Sequence, residues 1–266
     1  MEKPGRIRYL LASLLVFLLW YLFAPGVARL MRALPLTEPY HAYLAAMVPS
    51  LVMALGVWGV SRWFLHTSLP DLVRTDGPRL SLLFVPLASY FVVALLFFLA
   101  FKATTPSLYQ ATHPEPATYL LMLVLIIPLT TIQCSAEEFM MRIIPSHTVT
   151  NHLISSLLCM ALFVIPHLGN NEVTQGASVA LVLLYYALFG FFGTWASLDL
   201  GGFEFSLGIH IANNLFIALV CNYPVTPMQT AAPYLSLEKV GGWKDLAVLA
   251  TALALSYLVA RKAARR

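Results

Sequence analysis

Charged residues are scarce in this 266-residue sequence. Asp, Glu, Lys and Arg make up only 11% of it and hydrophobic residues 59%, whereas soluble domains carry about 25% charged residues. This composition excludes a soluble globular domain and predicts a polytopic membrane protein. The net charge is +4, but the basic residues lie at the chain ends and in short loops, a pattern that reflects membrane topology. We therefore expect a lipid bilayer as partner and no nucleic acid.

Cysteines are also few, and internal repeats and low-complexity linkers are absent. Cys134, Cys159 and Cys221 lie in or beside apolar runs, so this odd number predicts small buried side chains and no disulfide framework. A nucleophilic Cys134 is a further possibility because it lies three residues before Glu137, but no basic partner is near it in the sequence.

Long apolar runs predict an all-α, polytopic transmembrane helix bundle of about eight spans, forming a single domain over residues 1–266. The basic, apolar N-terminus resembles a signal peptide, and we interpret it as a retained first span. The predicted spans are 9–28, 43–64, 80–101, 117–140, 150–167, 177–197, 205–222 and 244–261.

The distribution of basic residues predicts that both termini are cytoplasmic. With eight alternating spans, eleven of the 16 basic residues, including Lys3, Arg74 and Arg266, lie on the side of the termini and five on the other. The excess follows the positive-inside rule. The short loops favour a prokaryotic plasma membrane, and the endoplasmic reticulum is the alternative.

Two adjacent glutamates, Glu137 and Glu138, end an apolar run and are followed by Arg142. Each carboxylate costs about 2.5–3.5 kcal/mol or more at membrane depth, which calls for a functional explanation. Glu138 and Arg142 share a helix face, whereas Glu137 points about 100° away. We therefore expect Glu138 to pair with Arg142 and Glu137 to remain free to act on water. The alternative is that both glutamates are interfacial residues at a helix end.

Two histidine motifs follow downstream, FVIPH and HIANN. Phe163 and His167 are four residues apart, so the ring can pack on the imidazole. His210 and Asn214 also share a face, and together they could donate to an oxyanion. Interhelical hydrogen bonding is the alternative for this pair, and it explains Asn213 better.

Small residues lie on one face of the sixth predicted span. Gly190 and Gly193, with Ala187, predict close packing of this span against the motif-bearing helices. We interpret this pattern as structural.

The order EExxxR, FxxxH and HxxxN on successive spans resembles the CAAX-protease and bacteriocin-processing family, also called the Abi family. The resemblance covers about 137–214, within a motif-bearing core of about 117–222. It implies an intramembrane endopeptidase of the glutamate type, in which Glu138 and Arg142 support Glu137.

The resemblance also implies the remaining roles. Glu137 and His167 would activate a water molecule, while His210 and Asn214 would form the oxyanion hole. No cofactor is implied by this mechanism. The implied substrate is a lipidated or membrane-anchored protein or peptide: a prenylated C-terminus, a bacteriocin or pheromone precursor, or a sorting anchor.

Two kinds of alternative remain open. A zinc-dependent protease would use Glu137, His167 and His210 as ligands, although the chain lacks HExxH. A transporter or a non-catalytic scaffold is the other alternative, but the ionisable groups crowd into one part of the chain, whereas a transporter often has two related halves.

One feature conflicts with simple alternating spans. Glu137 would lie near the inner face and His167 at the far end of its helix, about 20 Å or more apart. The motif requires them together, so we expect either a buried segment from Pro145 to Asn151 or a helix broken near Pro128 or Pro166.

Overall fold

The computed structural model describes residues 4–38 and 40–265, and it confirms a polytopic, all-α membrane bundle. Lys3 and Arg266, which contribute to the orientation prediction, lie outside these residues. The helices are α1 Arg6–Arg32, α2 Tyr40–Met47, α3 Pro49–Gly59, α4 Leu69–Val73, α5 Leu80–Thr104, α6 Pro116–Glu138, α7 Ile144–Ser146, α8 His152–His167, α9 Asn171–Gln175, α10 Val179–Asp199, α11 Glu204–Leu219 and α12 Trp243–Ala264. Two π-helical segments, Val60–Leu65 and Phe139–Ile143, continue α3 and α6, and a 3₁₀ turn spans Pro106–Leu108.

Within the described residues, six helical segments are long and apolar enough to cross a membrane. They are Arg6–Arg32, Tyr40–Leu65, Leu80–Thr104, Pro116–Ser146, Val179–Asp199 and Trp243–Ala264. The other two predicted spans correspond to the shorter apolar helices α8 and α11. The chain is thus an integral, multi-pass membrane protein.

Local sequence signals set where the motif-bearing helices begin. Glu115 caps α6 by accepting the backbone N–H of Thr118 at 2.7 Å, and Asn151 caps α8 by accepting that of Ile154 at 3.0 Å. Such caps satisfy amide groups that have no partner within the helix. They fix the starting points from which Glu137 and His167 are placed.

The helix α11 lies at the centre of the bundle and packs against α5 and α6, while α10 packs against α8 and α12. Ten of the 16 residues of α11 are buried. At Gly208 a Cβ atom would come within 2.4 Å of the Leu83 carbonyl oxygen, so this glycine permits the close approach of α11 to α5. The polar motif on α11 is therefore held in the interior.

The outer faces of the long helices are apolar. On α6, Leu120, Val124 and Ile127 are exposed, whereas Met122 and Ile126 are buried. Apolar side chains on both faces of a helix are what a span requires when one face contacts protein and the other contacts lipid.

A small sheet, which the sequence did not predict, covers one end of the bundle. It consists of β1 Tyr109–Ala111, β2 Cys221–Asn222 and β3 Tyr234–Ser236 in the order β1-β3-β2. β1 pairs with β3 antiparallel and β2 pairs with β3 parallel. The sheet joins the loop after α5 to the loop between α11 and α12.

The structure also contains a buried ion pair at the start of α11, which was not predicted from the sequence. Arg74 contributes to the orientation prediction as a loop residue, but its side chain is buried and its Nε donates to Glu204 Oε1 at 2.7 Å. The turn that precedes α11 requires glycine at two positions. Gly201 has φ +73°, and a Cβ atom on Gly202 would lie 2.4 Å from Glu204 Oε2. This pair anchors the helix that carries His210.

The conflict with simple alternating spans arises because the fourth span does not end at residue 140. The helical run passes unbroken through Pro128 and continues to Ser146, a total of 31 residues. Glu137 therefore lies nine residues, or about 14 Å, before the end of this run. Neither predicted break is present, since α6 runs through Pro128 and α8 through Pro166. Of the segment from Pro145 to Asn151, only Pro145 and Ser146 are buried.

Candidate active site

The EExxxR motif forms the buried ion pair that its spacing predicted. Arg142 NH1 donates to Glu138 Oε2, and both side chains are fully buried. Arg142 also donates from Nε to Thr194 Oγ1 at 3.1 Å and from NH2 to the Phe189 carbonyl at 3.2 Å. The guanidinium group therefore ties the end of α6 to α10 as well as binding Glu138.

The predicted small-residue face of α10 makes room for this arginine. A Cβ atom on Gly193 would lie 3.0 Å from the guanidinium carbon of Arg142. One turn earlier, a Cβ atom on Gly190 would lie 3.1 Å from the Cα atom of Met160 on α8. The guanidinium carbon lies 5.2 Å from the centre of the Phe163 ring, which adds a cation–π contact.

His210 lies between the two glutamates. Its Nδ1 is 2.8 Å from Glu138 Oε1, and its Nε2 is 3.6 Å from Glu137 Oε2. Glu138 thus binds Arg142 through one oxygen and His210 through the other, and it has no exposed surface. The Glu137 side chain keeps 15% of its surface exposed.

Asn214 is oriented by a chain of amide hydrogen bonds. Its Nδ2 donates to Gln133 Oε1 at 3.2 Å, and its Oδ1 accepts from Asn213 Nδ2 at 3.0 Å. Tyr90 and Tyr185 donate to the Asn213 oxygen at 2.9 and 3.0 Å, as expected for an interhelical residue. Since an amide group has two N–H donors, Asn214 retains one that is not used by Gln133.

His167 is fixed by its own helix and by aromatic rings. Its Nδ1 donates to the Phe163 carbonyl at 2.6 Å. Its ring stacks on Phe163 at 4.7 Å, as predicted, and contacts the Tyr186 ring at 4.4 Å. A carbonyl oxygen only accepts, so the proton is on Nδ1, and in the neutral ring Nε2 is free to accept another proton.

One cavity of about 490 Å³ unites the predicted residues. Glu137, His167, His210 and Asn214 all line it. The Phe163 ring centre lies 4.7 Å from that of His167 and 5.7 Å from that of His210, and His210 is in contact with Glu137. These contacts exclude a separation of about 20 Å between Glu137 and His167.

The zinc alternative can be compared with this geometry. Within residues 4–38 and 40–265, no three His, Cys, Asp or Glu side chains are grouped closely enough to hold a metal ion. Glu137, His167 and His210 share the cavity but do not form such a group, so they do not fit a three-ligand site in this arrangement.

Several cavity residues were missed by the sequence analysis. Gln133 could have been found, because it lies four residues before Glu137 and so shares its helix face. Tyr186, in the middle of an apolar helix, was a weaker signal. Glu172 gave none, because α9 looks like an ordinary polar loop in the sequence.

Cys134 is buried and does not line the cavity. Its thiol donates to Gln133 Oε1 at 3.3 Å. This position does not give the thiol the access to substrate that a nucleophile needs.

The cavity thus brings together a carboxylate, two imidazoles and an amide, which are groups suited to acid–base chemistry and to oxyanion stabilisation. Residues 115–216 match the family described as type II CAAX prenyl endopeptidase Rce1-like. This match covers the segment that carries the motifs, and it supports the resemblance to the CAAX-protease family.

A bacterial relative of uncharacterized function matches a longer stretch of the chain. The chain is 26% identical over 223 residues to YyaK, an uncharacterized protein of Bacillus subtilis (strain 168). That alignment covers 81% of this chain and 72% of the relative. No solved structure matches the chain.

Proposed function

We propose that this protein hydrolyses a peptide bond near the C-terminus, or in a membrane-proximal segment, of a lipidated or membrane-anchored protein or peptide precursor. The observation that carries the proposal is the cavity inside the bundle, where Glu137, His167, His210 and Asn214 meet. The family match adds protease chemistry to this geometry.

Glu137 and His167 activate the water. Glu137 is the glutamate with exposed surface, and it reaches the cavity while Glu138 is occupied by Arg142 and His210. A water O–H bond breaks as its proton moves to Glu137, and the hydroxide attacks the scissile carbonyl carbon. His167 holds the same water through Nε2. The proton then passes to the leaving amine as the C–N bond breaks.

His210 and Asn214 stabilise the negative oxygen of the tetrahedral intermediate. Asn214 contributes the N–H that Gln133 does not use. His210 already donates Nδ1–H to Glu138, so its Nε2 donates to the oxyanion only when the ring carries both protons. This role therefore requires an imidazolium between the two carboxylates.

The test is Glu137→Gln in the full chain, purified in detergent, with cleavage of a quenched fluorescent peptide as readout. Gln keeps the shape and loses the basicity, so turnover should fall about 10²–10⁴-fold while the melting curve stays close to wild type. Glu238→Gln is the matched control, because Glu238 lies on the surface and pairs with Lys244. Near-wild-type cleavage by Glu137→Gln would refute the mechanism.

The zinc alternative is decided by metal content. A zinc enzyme would hold stoichiometric metal, lose it in His210→Ala but not in Asn214→Ala, and be inactivated by a strong chelator. Full activity after chelation, with no bound metal, supports the glutamate mechanism instead.

We further propose that the protein lies in a prokaryotic plasma membrane with both termini in the cytoplasm. The relative in Bacillus subtilis and the excess of basic residues on one side support this placement. Reporter fusions at each end test it, and a terminus that reports from the outer side would contradict it.

A further inference from the structure

Glu172, on the short helix α9, is a second carboxylate in the cavity wall that the proposed chemistry does not use. Glu172 is only 5% exposed, and it lines the cavity. Oε1 accepts a hydrogen bond from the Tyr223 hydroxyl at 2.8 Å. In the described part of the chain, the buried Oε2 has no hydrogen-bond partner.

An incompletely paired buried carboxylate is expensive, so its retention needs a reason. The structure offers no positive charge to balance it: among the described residues that line the cavity there is no lysine or arginine. The lining does include two other acids. Glu137 faces His210, and Asp245 accepts the N–H groups of Gly241 and Gly242. The cavity is therefore rich in carboxylates, and histidine is the only side chain of its described lining that can carry a positive charge.

The rings around Glu172 suit a cationic guest. Tyr223 and Tyr186 both line the cavity beside it, and aromatic faces attract cations. Burial, and then the adjacent Glu172 carboxylate, raise the pKa of Tyr223 well above its ordinary value, so this phenol keeps the proton that it donates to Glu172.

The position of Glu172 relates it to both the site and the membrane. Tyr186, whose hydroxyl accepts from Asn170 Nδ2 at 3.1 Å, contacts the His167 ring at 4.4 Å. Beyond α9, the backbone N–H of Ala177 donates to the Val240 carbonyl in the loop before α12 at 2.7 Å. Glu172 thus lies in a segment between α8 and α10, two residues after the asparagine that binds Tyr186, and the Tyr186 ring in turn contacts His167.

We propose that Glu172, with Tyr186 and Tyr223, forms a subsite for a basic side chain, lysine or arginine, close to the scissile bond of the substrate. This inference rests on the proposed proteolytic function and names its substrate class. The guest supplies a positive charge for the incompletely paired Glu172, and its ammonium or guanidinium group pairs with this carboxylate. Such substrates are membrane-anchored chains with a lysine or arginine close to the cleaved bond.

The experiment uses a set of quenched fluorescent peptides with one apolar sequence. In each peptide a single position carries lysine, and a partner peptide carries the uncharged, similarly shaped norleucine there. We expect wild-type kcat/KM to favour lysine by about tenfold at one position, the effect of one charge-assisted contact. In Glu172→Gln this ratio should fall to about one. Glu172→Asp should keep part of the preference, and the surface control Glu238→Gln should keep all of it.

Two results would overturn the inference. One is a wild type without preference for lysine at any position. The other is a Glu172→Gln variant that loses activity on both peptides equally and keeps the ratio, because Glu172 would then only support the fold. If Glu172→Gln does not fold, the wild-type ratio and Glu172→Asp decide the question.

Equilibrium binding of the same peptides separates this inference from the proposed function. If the wild type cleaves no peptide but binds the lysine form more tightly, and Glu172→Asp retains part of that preference, the subsite stands and proteolysis fails. If the wild type cleaves both peptides of every pair at the same rate, proteolysis stands and the subsite fails.

Discussion

Replacing Arg142 by alanine should reduce both stability and activity. Arg142 is fully buried and contacts Glu138, Thr194 and the Phe189 carbonyl. In Arg142→Ala the Glu138 carboxylate keeps only His210 as a charged partner. Breaking a buried ion pair by removing one partner costs about 3–5 kcal/mol.

That cost should be visible in a melting experiment. At about 2–4 °C per kcal/mol for a chain of this size, the apparent melting temperature should fall by about 6–20 °C. The assay is a thermal fluorescence scan of the detergent-solubilised protein, with peptide cleavage measured well below the transition. Arg62→Ala is the matched control, because Arg62 is an exposed arginine on a helical segment.

A double variant tests whether the cost comes from the stranded charge. In the double variant Glu138→Gln/Arg142→Met, no unpaired carboxylate remains. Its loss of stability should therefore be smaller than the sum of the losses in Glu138→Gln alone and in Arg142→Met alone. An apparent melting temperature in Arg142→Ala equal to that of Arg62→Ala would refute the reasoning, since Glu138 would then not depend on Arg142.

Three further outcomes follow from the geometry. His210→Ala and Asn214→Ala should each lower kcat about 10²–10³-fold with little change in KM. The decrease in kcat of the double variant should be smaller than the product of the two single decreases. A raised KM with intact kcat for Asn214→Ala would instead indicate a role in substrate binding. Gln133→Leu should lower kcat less than Asn214→Ala, since it removes the acceptor that orients the amide but keeps the amide itself; wild-type kcat would show that Gln133 does not orient Asn214. Gly193→Ala should lower the melting temperature because its Cβ atom meets the Arg142 guanidinium at 3.0 Å, whereas Gly26→Ala, with nothing within 4 Å, should not; equal melting temperatures would contradict that contact.

Features that depend on helix periodicity could be predicted from the sequence. Residues four apart lie on one helix face, which predicts the Glu138–Arg142 pair and the stacking of Phe163 on His167. Asn213 lies off the face shared by His210 and Asn214, which predicts its interhelical role. The structure has all three. Among the described residues, six of the eight predicted apolar runs correspond to helical segments long enough to cross a membrane, and two correspond to the shorter apolar helices α8 and α11.

Features that depend on tertiary contacts could not be predicted. The π-helical turn Phe139–Ile143 follows the glutamates directly and carries the helix on to Ser146, and nothing in its composition distinguishes it from α-helix. The partner of Gln133 is on another helix, and the burial of Glu172 depends on a loop some fifty residues away in sequence. Such pairings are fixed by packing, so a single sequence does not reveal them.

The two adjacent glutamates have separate tasks because neighbouring residues on a helix point about 100° apart. Glu138 faces the interior, where its two oxygens are taken by Arg142 and His210, and it has no exposed surface. Glu137 turns toward the cavity, keeps 15% of its side-chain surface exposed, and faces the other nitrogen of the same His210 ring. One carboxylate in this place could not both hold the arginine and remain open to water. The ring between them therefore links a fixed charge to a reactive one, and a change at either glutamate should alter the protonation of His210 as well as its own contacts.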